Sequence, residues 1–199
     1  MKRYSRSSLR KAEKTRMMQI VRYYLNKHGI RVLKWMPYEG RIPSQKVVYE
    51  AYYDLDAVRI PLPVDRYSFY VCMHEIGHIV KGSRRMGYHM EYVAEQWALA
   101  KCRKYRYYTR QLERDAKHYV YVNLIEDVVF RCLHPDHVKS VVVDWLECSE
   151  EKIRRDALRV GKRLLAKRYV VPWYPNWEGA DHTEAYKALI KLSMHQLTY

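Results

Sequence analysis

The apolar positions change period early in the chain. Over residues 8–28, Met17, Ile20, Val21, Tyr24 and Leu25 recur at helical spacing among good helix formers, and Gly29 follows as a C-cap, so the pattern predicts an amphipathic helix. Ile30, Val32, Leu33 and Trp35 then predict a short strand, and Pro37, Gly40 and Pro43 mark a loop. The runs KVVYEAYY at 46–53 and DAVRIP at 56–61 are rich in β-formers and are split by a turn at Asp54-Leu55, which predicts a hairpin-like pair. From about residue 65 the period turns helical and stays so. Asp65 is suited to N-cap a helix that runs to about Lys81 and ends at Gly82. Further helices are expected over 88–108, 110–132, 137–147, 150–167 and 182–196, with His134-Pro135-Asp136 as punctuation and VVPWYPNWEG at 170–179 as a loop. The expected fold class is α+β: mostly helical, with a small N-terminal sheet packed on the helices that follow it. The expected division is residues 1–108 as one domain and 109–199 as a helical C-terminal region.

Composition narrows the classes. The 199 residues are 48% hydrophobic with only 7 Gly and 7 Pro, which excludes a wholly disordered or collagen-like chain. No apolar run approaches the ~18 residues of a membrane span. The basic N-terminus MKRYSRSSLRKAEK has no apolar stretch behind it, so no secretory signal is expected. Cys72, Cys102, Cys132 and Cys148 form no CxxC pair and read as reduced thiols, which places the protein in the cytoplasm. Lys plus Arg is 37 against 22 Asp plus Glu, a net charge of +15. The excess is concentrated: residues 1–34 hold 11 basic residues and one acid, Glu13, and residues 152–168 hold 8 and one acid, Asp156. Two such segments suggest a polyanionic partner, nucleic acid above all, against the plainer reading of solvated helix faces. Tyr outnumbers Phe 20 to 2, which suits half-wet surfaces and stacking on bases.

The sharpest chemical signal is His74-Glu75-Ile76-Gly77-His78, an HExxH. Two histidines four apart share a helix face, so both imidazoles can bind one Zn²⁺, while Glu75 faces the water to be activated and can take its proton. The flanks Tyr70-Val71-Cys72-Met73 and Ile79-Val80 are apolar, so this helix is expected to be buried. Burying two histidines and a glutamate without a metal is costly. Gly77 leaves room for another backbone to pass close by. A catalytic zinc needs a third ligand and an open position. The next helix offers Glu91 and Glu95 one turn apart, and an antiparallel pairing sets Glu91 level with His78 and Glu95 level with His74. One is expected to bind the metal and the other to orient a ligand histidine by accepting its second N–H. Glu91 is the favoured ligand and Glu95 the favoured orienter. His89 is a weaker candidate, as ligand or oxyanion stabiliser.

These motifs carry a resemblance. Ile60 leading into Asp65-Arg66-Tyr67, then VCMHEIGHIV, then EYVAEQWALA resemble the ImmA/IrrE-like zinc metallopeptidases common in phages and mobile elements, over roughly residues 15–105. The resemblance implies a minimal gluzincin-like fold, a small sheet packed on the HExxH helix and the glutamate helix. It also implies hydrolysis of peptide bonds in a protein substrate, often a regulator, in the host cytoplasm. Family members often set the zinc glutamate directly before the alanine of an A-x-x-[FW]-A pattern. That position is Val93 here, so the ligand is expected at Glu91 or Glu95.

A second pattern lies in 136–164. Apolar Val141, Val142, Trp145 and Leu146 precede a tight turn at Glu147-Cys148-Ser149, and Ser149 opens a basic helix, the build of a helix-turn-helix. SEEKIRRDALRV resembles the recognition helices of DeoR-like repressors, although the usual turn glycine is Glu147 here. Lys152, Arg154, Arg155 and Arg159 are the candidate nucleic-acid contacts; the plainer reading is an ordinary helical hairpin. Two alternatives to a peptidase follow: a nucleic-acid-binding protein with a vestigial zinc site, and an interaction protein anchored by Trp173, Tyr174 and Trp177.

Overall fold

The structure, a computed structural model, describes residues 11–38, 49–82, 87–131 and 133–166, with side chains to 162. The tail loop with Trp173, Tyr174 and Trp177, the helix expected over 182–196, and the outer parts of both basic segments lie outside the described residues. So do residues 46–48 of the first expected hairpin strand. The protein is α+β and mostly helical, with one small three-stranded sheet. The described residues fall into two compact units, one within Met1–Met86 and Met90–Arg114, the other within Gly87–His89 and Asp115–Tyr199. Among the described residues, no helix is long and apolar enough to cross a membrane.

In the first unit, α1 (Lys11–Lys27) buries Met17, Val21, Tyr24 and Leu25, the stripe its period defines. Gly29 takes φ +66°, and the N–H groups of Gly29 and Ile30 return to the carbonyls of Asn26 and Leu25, so the helix closes in a Schellman turn. The chain enters β1 (Arg31–Met36) directly. Strands β2 (Glu50–Tyr52) and β3 (Ala57–Pro61) are antiparallel, joined by a single 3₁₀ turn over Tyr53–Leu55. β1 pairs parallel with β3, which gives the order β1-β3-β2. The central strand buries Ala57, Val58 and Ile60.

Helix α2 (Arg66–Lys81) starts at a reciprocal capping box, in which Ser68 N–H donates to Asp65 Oδ1 at 2.8 Å and Asp65 N–H donates to Ser68 Oγ at 2.9 Å. It ends where Gly82 turns to φ +45°. Phe69, Met73 and Ile76 on α2 and Ala94, Ala98, Leu99 and Cys102 on α3 (Tyr88–Tyr105) are buried in the core of this unit. α3 stops three residues before the sequence pattern suggests. Arg106 adopts φ +65°, Tyr107 N–H returns to the Cys102 carbonyl at 2.8 Å, and the buried Tyr107 ring packs 4.9 Å from that of Phe69.

The second unit is built on α4 (Arg110–Phe130) from Asp115 onward, a 3₁₀ turn at Pro135–His137, α5 (Ser140–Leu146) and α6 (Glu150–Ala166). The helix expected over 137–147 is thus a 3₁₀ turn followed by a shorter α-helix. Ala116, Val120, Leu124, Val142, Ile153 and Val160 are buried there. Buried Asp127 accepts the Tyr88 N–H at 2.7 Å and pairs with Arg131 at 2.6 Å. Gly87, at φ +96°, is needed there, because a Cβ would lie 2.0 Å from Asp127 Oδ2.

Candidate metal centre

Local sequence positions each part of the site. The α2 register fixed by the Asp65 cap presents His74, Glu75 and His78 inward, and all three are buried. Gly77 sits where α3 comes closest: a Cβ there would lie 2.8 Å from Trp97 Cδ1 and 3.2 Å from the Ala94 carbonyl. The missing side chain lets the helices approach until Glu91 and Glu95 reach the histidines.

The two glutamates meet different atoms. Glu91 Oε2 lies 3.3 Å from Nε2 of His74 and 3.3 Å from Nε2 of His78, and those nitrogens are 2.9 Å apart. Glu95 Oε1 instead faces His74 Nδ1 at 3.2 Å, on the outer side of the ring. Its other oxygen accepts the Tyr70 hydroxyl. Glu95 therefore has one oxygen hydrogen-bonded and the other facing His74, and the residue is 2% exposed. Tyr70 thus holds Glu95 by a hydrogen bond, and Glu95 stands within ion-pair distance of the first imidazole.

The donor set fits zinc. Bonds of about 2.0–2.1 Å at a tetrahedral angle put neighbouring donor atoms about 3.3 Å apart, and the separations here are 2.9, 3.3 and 3.3 Å. His74, His78 and Glu91 form a group able to hold a metal ion. Glu91 Oε2 is buried with no hydrogen-bond donor aligned on it, the condition a cation relieves.

The electrostatics follow from burial and charge together. Burial would raise the Glu91 carboxyl, but the two imidazoles beside it outweigh that and pull it down to about 2. Burial disfavours the charged form of His74, yet Glu95, Glu91 and Glu75 together hold it well above the ordinary imidazole value. Glu75 goes the other way: burial raises it, with His74 and His78 opposing. A buried carboxyl moved upward toward neutrality is a better proton acceptor than an exposed one.

Two residues of this neighbourhood escaped the sequence reading. Tyr70 lies one turn before His74, and only the packing of α3 reveals its tie to Glu95. Tyr53 sits in the turn after β2, its ring 6.2 Å from that of His78 and its hydroxyl 2.7 Å from Met90 Sδ. Burial, then Glu91 and Glu75, push its phenol above the ordinary tyrosine value. No spacing rule links a tyrosine in a strand turn to a motif on the following helix.

The other candidate residues are placed elsewhere. His89 belongs to the second unit, where its Nε2 lies 2.9 Å from Lys139 Nζ. On α6, Arg154 pairs with Asp136, Arg159 lies 3.7 Å from Asp156, and Lys152 Nζ lies 5.0 Å over the Tyr121 ring. Arg155 is exposed and forms no ion pair among the described residues. The hairpin turn has Glu147 at φ +54°, a left-handed position usually given to glycine, and Ser149 Oγ accepts the Lys152 N–H at 3.2 Å. Compared with protein-family models, with curated proteins and with solved structures, the chain matches none.

Proposed function

We propose that this protein is a zinc-dependent peptidase of the ImmA/IrrE-like kind, hydrolysing peptide bonds in a protein substrate. The observation that carries the reading is the convergence of His74 Nε2, His78 Nε2 and Glu91 Oε2 within 3.3 Å of one another, on the two helices that also carry Glu75 and Glu95. These three residues would hold the ion. Bound zinc supplies Lewis acidity, which polarises a carbonyl and brings water toward a pKa of about 7. Among the described residues the group has three members, which suits a catalytic centre better than a closed structural one.

The chain's own residues supply the rest. Glu75 accepts the proton of the attacking water and returns it to the leaving amine, a general-base contribution worth roughly 10²–10⁴ in rate. Glu95, held by the Tyr70 hydroxyl, accepts the His74 Nδ1 proton and so aims Nε2 at the ion. The Tyr53 phenol, its ring 6.2 Å from that of His78, would donate to the oxygen on which negative charge develops once its hydroxyl turns from Met90 Sδ. A cytoplasmic setting belongs to the same proposal, since Cys72 and Cys102 stand as buried free thiols.

The test is cleavage of a proteome-derived peptide library by the zinc-loaded full chain, with products mapped by mass spectrometry. Wild-type protein should cut and Glu75→Gln should not, at equal zinc content. Equal cleavage by both would show that the hydrolysis does not belong to this site.

A further inference from the structure

The first unit carries a second constellation, at the C-terminal ends of α1 and α2 and along the last turns of α3. Lys101 Nζ lies 3.6 Å from the centroid of the Trp97 ring and 4.9 Å from that of Tyr24. Lys81 Nζ stands 5.6 Å from the same Trp97 ring. Lys27 Nζ is 5.9 Å from the ring of Tyr23, and Lys104 Nζ is 5.4 Å from that of Tyr105. The rings themselves join: Tyr24 meets Trp97 edge-on at 5.8 Å and Tyr23 at 5.2 Å. Tyr23 is 54% exposed.

What sets this cluster apart is that its ammoniums gather on one connected set of rings and no acid among the described residues pairs with them. Several other cations have an acidic partner, as Lys117 has Glu147, Arg131 has Asp127 and Arg154 has Asp136. Among the described residues, Lys27, Lys81, Lys101 and Lys104 form no ion pair. Instead they oppose one another: burial, then Lys104, Lys27 and Lys81, hold the Lys101 ammonium below the ordinary lysine range. His28 is likewise lowered by burial and by Lys27 and Lys101. Four like charges gathered without an anion cost stability, and an external polyanion offsets that cost.

We propose that Lys27, Lys81, Lys101 and Lys104, with Tyr23, form a binding surface for single-stranded nucleic acid. The ammoniums neutralise successive phosphates, and the exposed Tyr23 ring stacks on a base. The interleaved rings favour nucleic acid over an acidic peptide, because carboxylates gain nothing from an aromatic face whereas every base does. An exposed stacking ring favours a single strand over a duplex, whose bases are already stacked. The proposal does not depend on the metal centre.

The experiment is fluorescence anisotropy of a labelled 20-nucleotide oligothymidine with the full chain, over a salt series, with its duplex and polyglutamate as competitors. Log affinity should fall with log salt at a slope of about −3 if four phosphates are neutralised, at about −0.7 each for single strands. Lys101→Gln with Lys104→Gln should reduce the slope by about 1.4. Tyr23→Ala should weaken binding about tenfold with the slope unchanged. Should the first pair lower the melting temperature, Lys27→Gln with Lys81→Gln gives the same readout from exposed positions. The proposal is overturned by absence of binding at low salt, or by a slope that neither lysine pair changes. It is also overturned if polyglutamate competes as well as the oligonucleotide, or if Arg154→Gln with Arg155→Gln, and not the lysine variants, removes binding.

Discussion

Glu91 and Glu95 carry the same side chain one turn apart, and what separates them is the atom each carboxylate meets. Glu91 faces both Nε2 atoms, whereas Glu95 is occupied by His74 Nδ1 and the Tyr70 hydroxyl. Glu91→Gln should therefore abolish stoichiometric zinc uptake. Glu95→Gln should weaken zinc by about 10–100-fold, the usual penalty for losing an orienting partner. Competition against a chromophoric chelator distinguishes the two, and the reverse order would exchange their roles. Tyr53→Phe should leave zinc affinity unchanged while lowering kcat about 10²-fold, the scale of one oxyanion donor; a rise in KM with kcat unchanged would remove Tyr53 from the chemistry. Protons compete for the same atoms. His74 is held protonated to higher pH than an ordinary imidazole, so zinc must displace its proton. Apparent zinc affinity should fall as pH falls, starting above the ordinary histidine value of about 6.5, and a flat profile from pH 8 to pH 6 would contradict the ligand set. The HExxH spacing and the two glutamates could be read directly from the residues, because i, i+4 places side chains on one face. Antiparallel pairing favours Glu91 as ligand and Glu95 as orienter, but the atom each carboxylate meets depends on the depth and rotation of α3 against α2, which spacing does not give.

At the level of elements, the helix ends marked by glycine or by a capping residue were legible and the others were not. Asp65 and Ser68 cap α2, and Gly29 and Gly82 close α1 and α2, each as its side chain or lack of one dictates. Arg106 takes a left-handed conformation that no sequence rule assigns to it, so α3 ends three residues before its pattern predicts, whereas the left-handed Glu147 stands where the hairpin pattern sets its turn. The parallel pairing of β1 with β3 was equally hidden, because alternation gives a strand its faces and not its neighbour. Two substitutions test the elements that place the site. Asp65→Ala should cost about 1 kcal/mol through loss of the cap, visible as a lower urea midpoint at unchanged m. Gly77→Leu should cost about 2–3 kcal/mol by overpacking, because Trp97 Cδ1 and the Ala94 carbonyl stand 2.8 and 3.2 Å from any Cβ there. It should also weaken zinc, since the glutamates ride on the displaced helix. A stable variant with full zinc affinity would show that close approach at Gly77 is not what sets the site.

For the whole molecule, the α+β class followed from one change of period near residue 65, and the small sheet and helical remainder agree with it. The strong positive charge was legible as a total, but its local meaning was not. On α6, own carboxylates hold Arg154 and Arg159, while the lysines of α1, α2 and α3 are left facing one another. Which cations remain for a partner depends on where the acids fold, and sequence distance does not report that. His74, His78 and Glu91 are proposed to bind zinc and leave a position for water. Zinc K-edge X-ray absorption on the full chain with one equivalent of zinc reads out that coordination. The expected spectrum shows a four-coordinate shell of nitrogen and oxygen at about 2.0–2.1 Å, two of the scatterers imidazoles, and a shell that changes when acetohydroxamate is added. Sulfur scattering at about 2.3 Å, a third imidazole, or a spectrum indifferent both to hydroxamate and to replacement of His74 and His78 by alanine would contradict it.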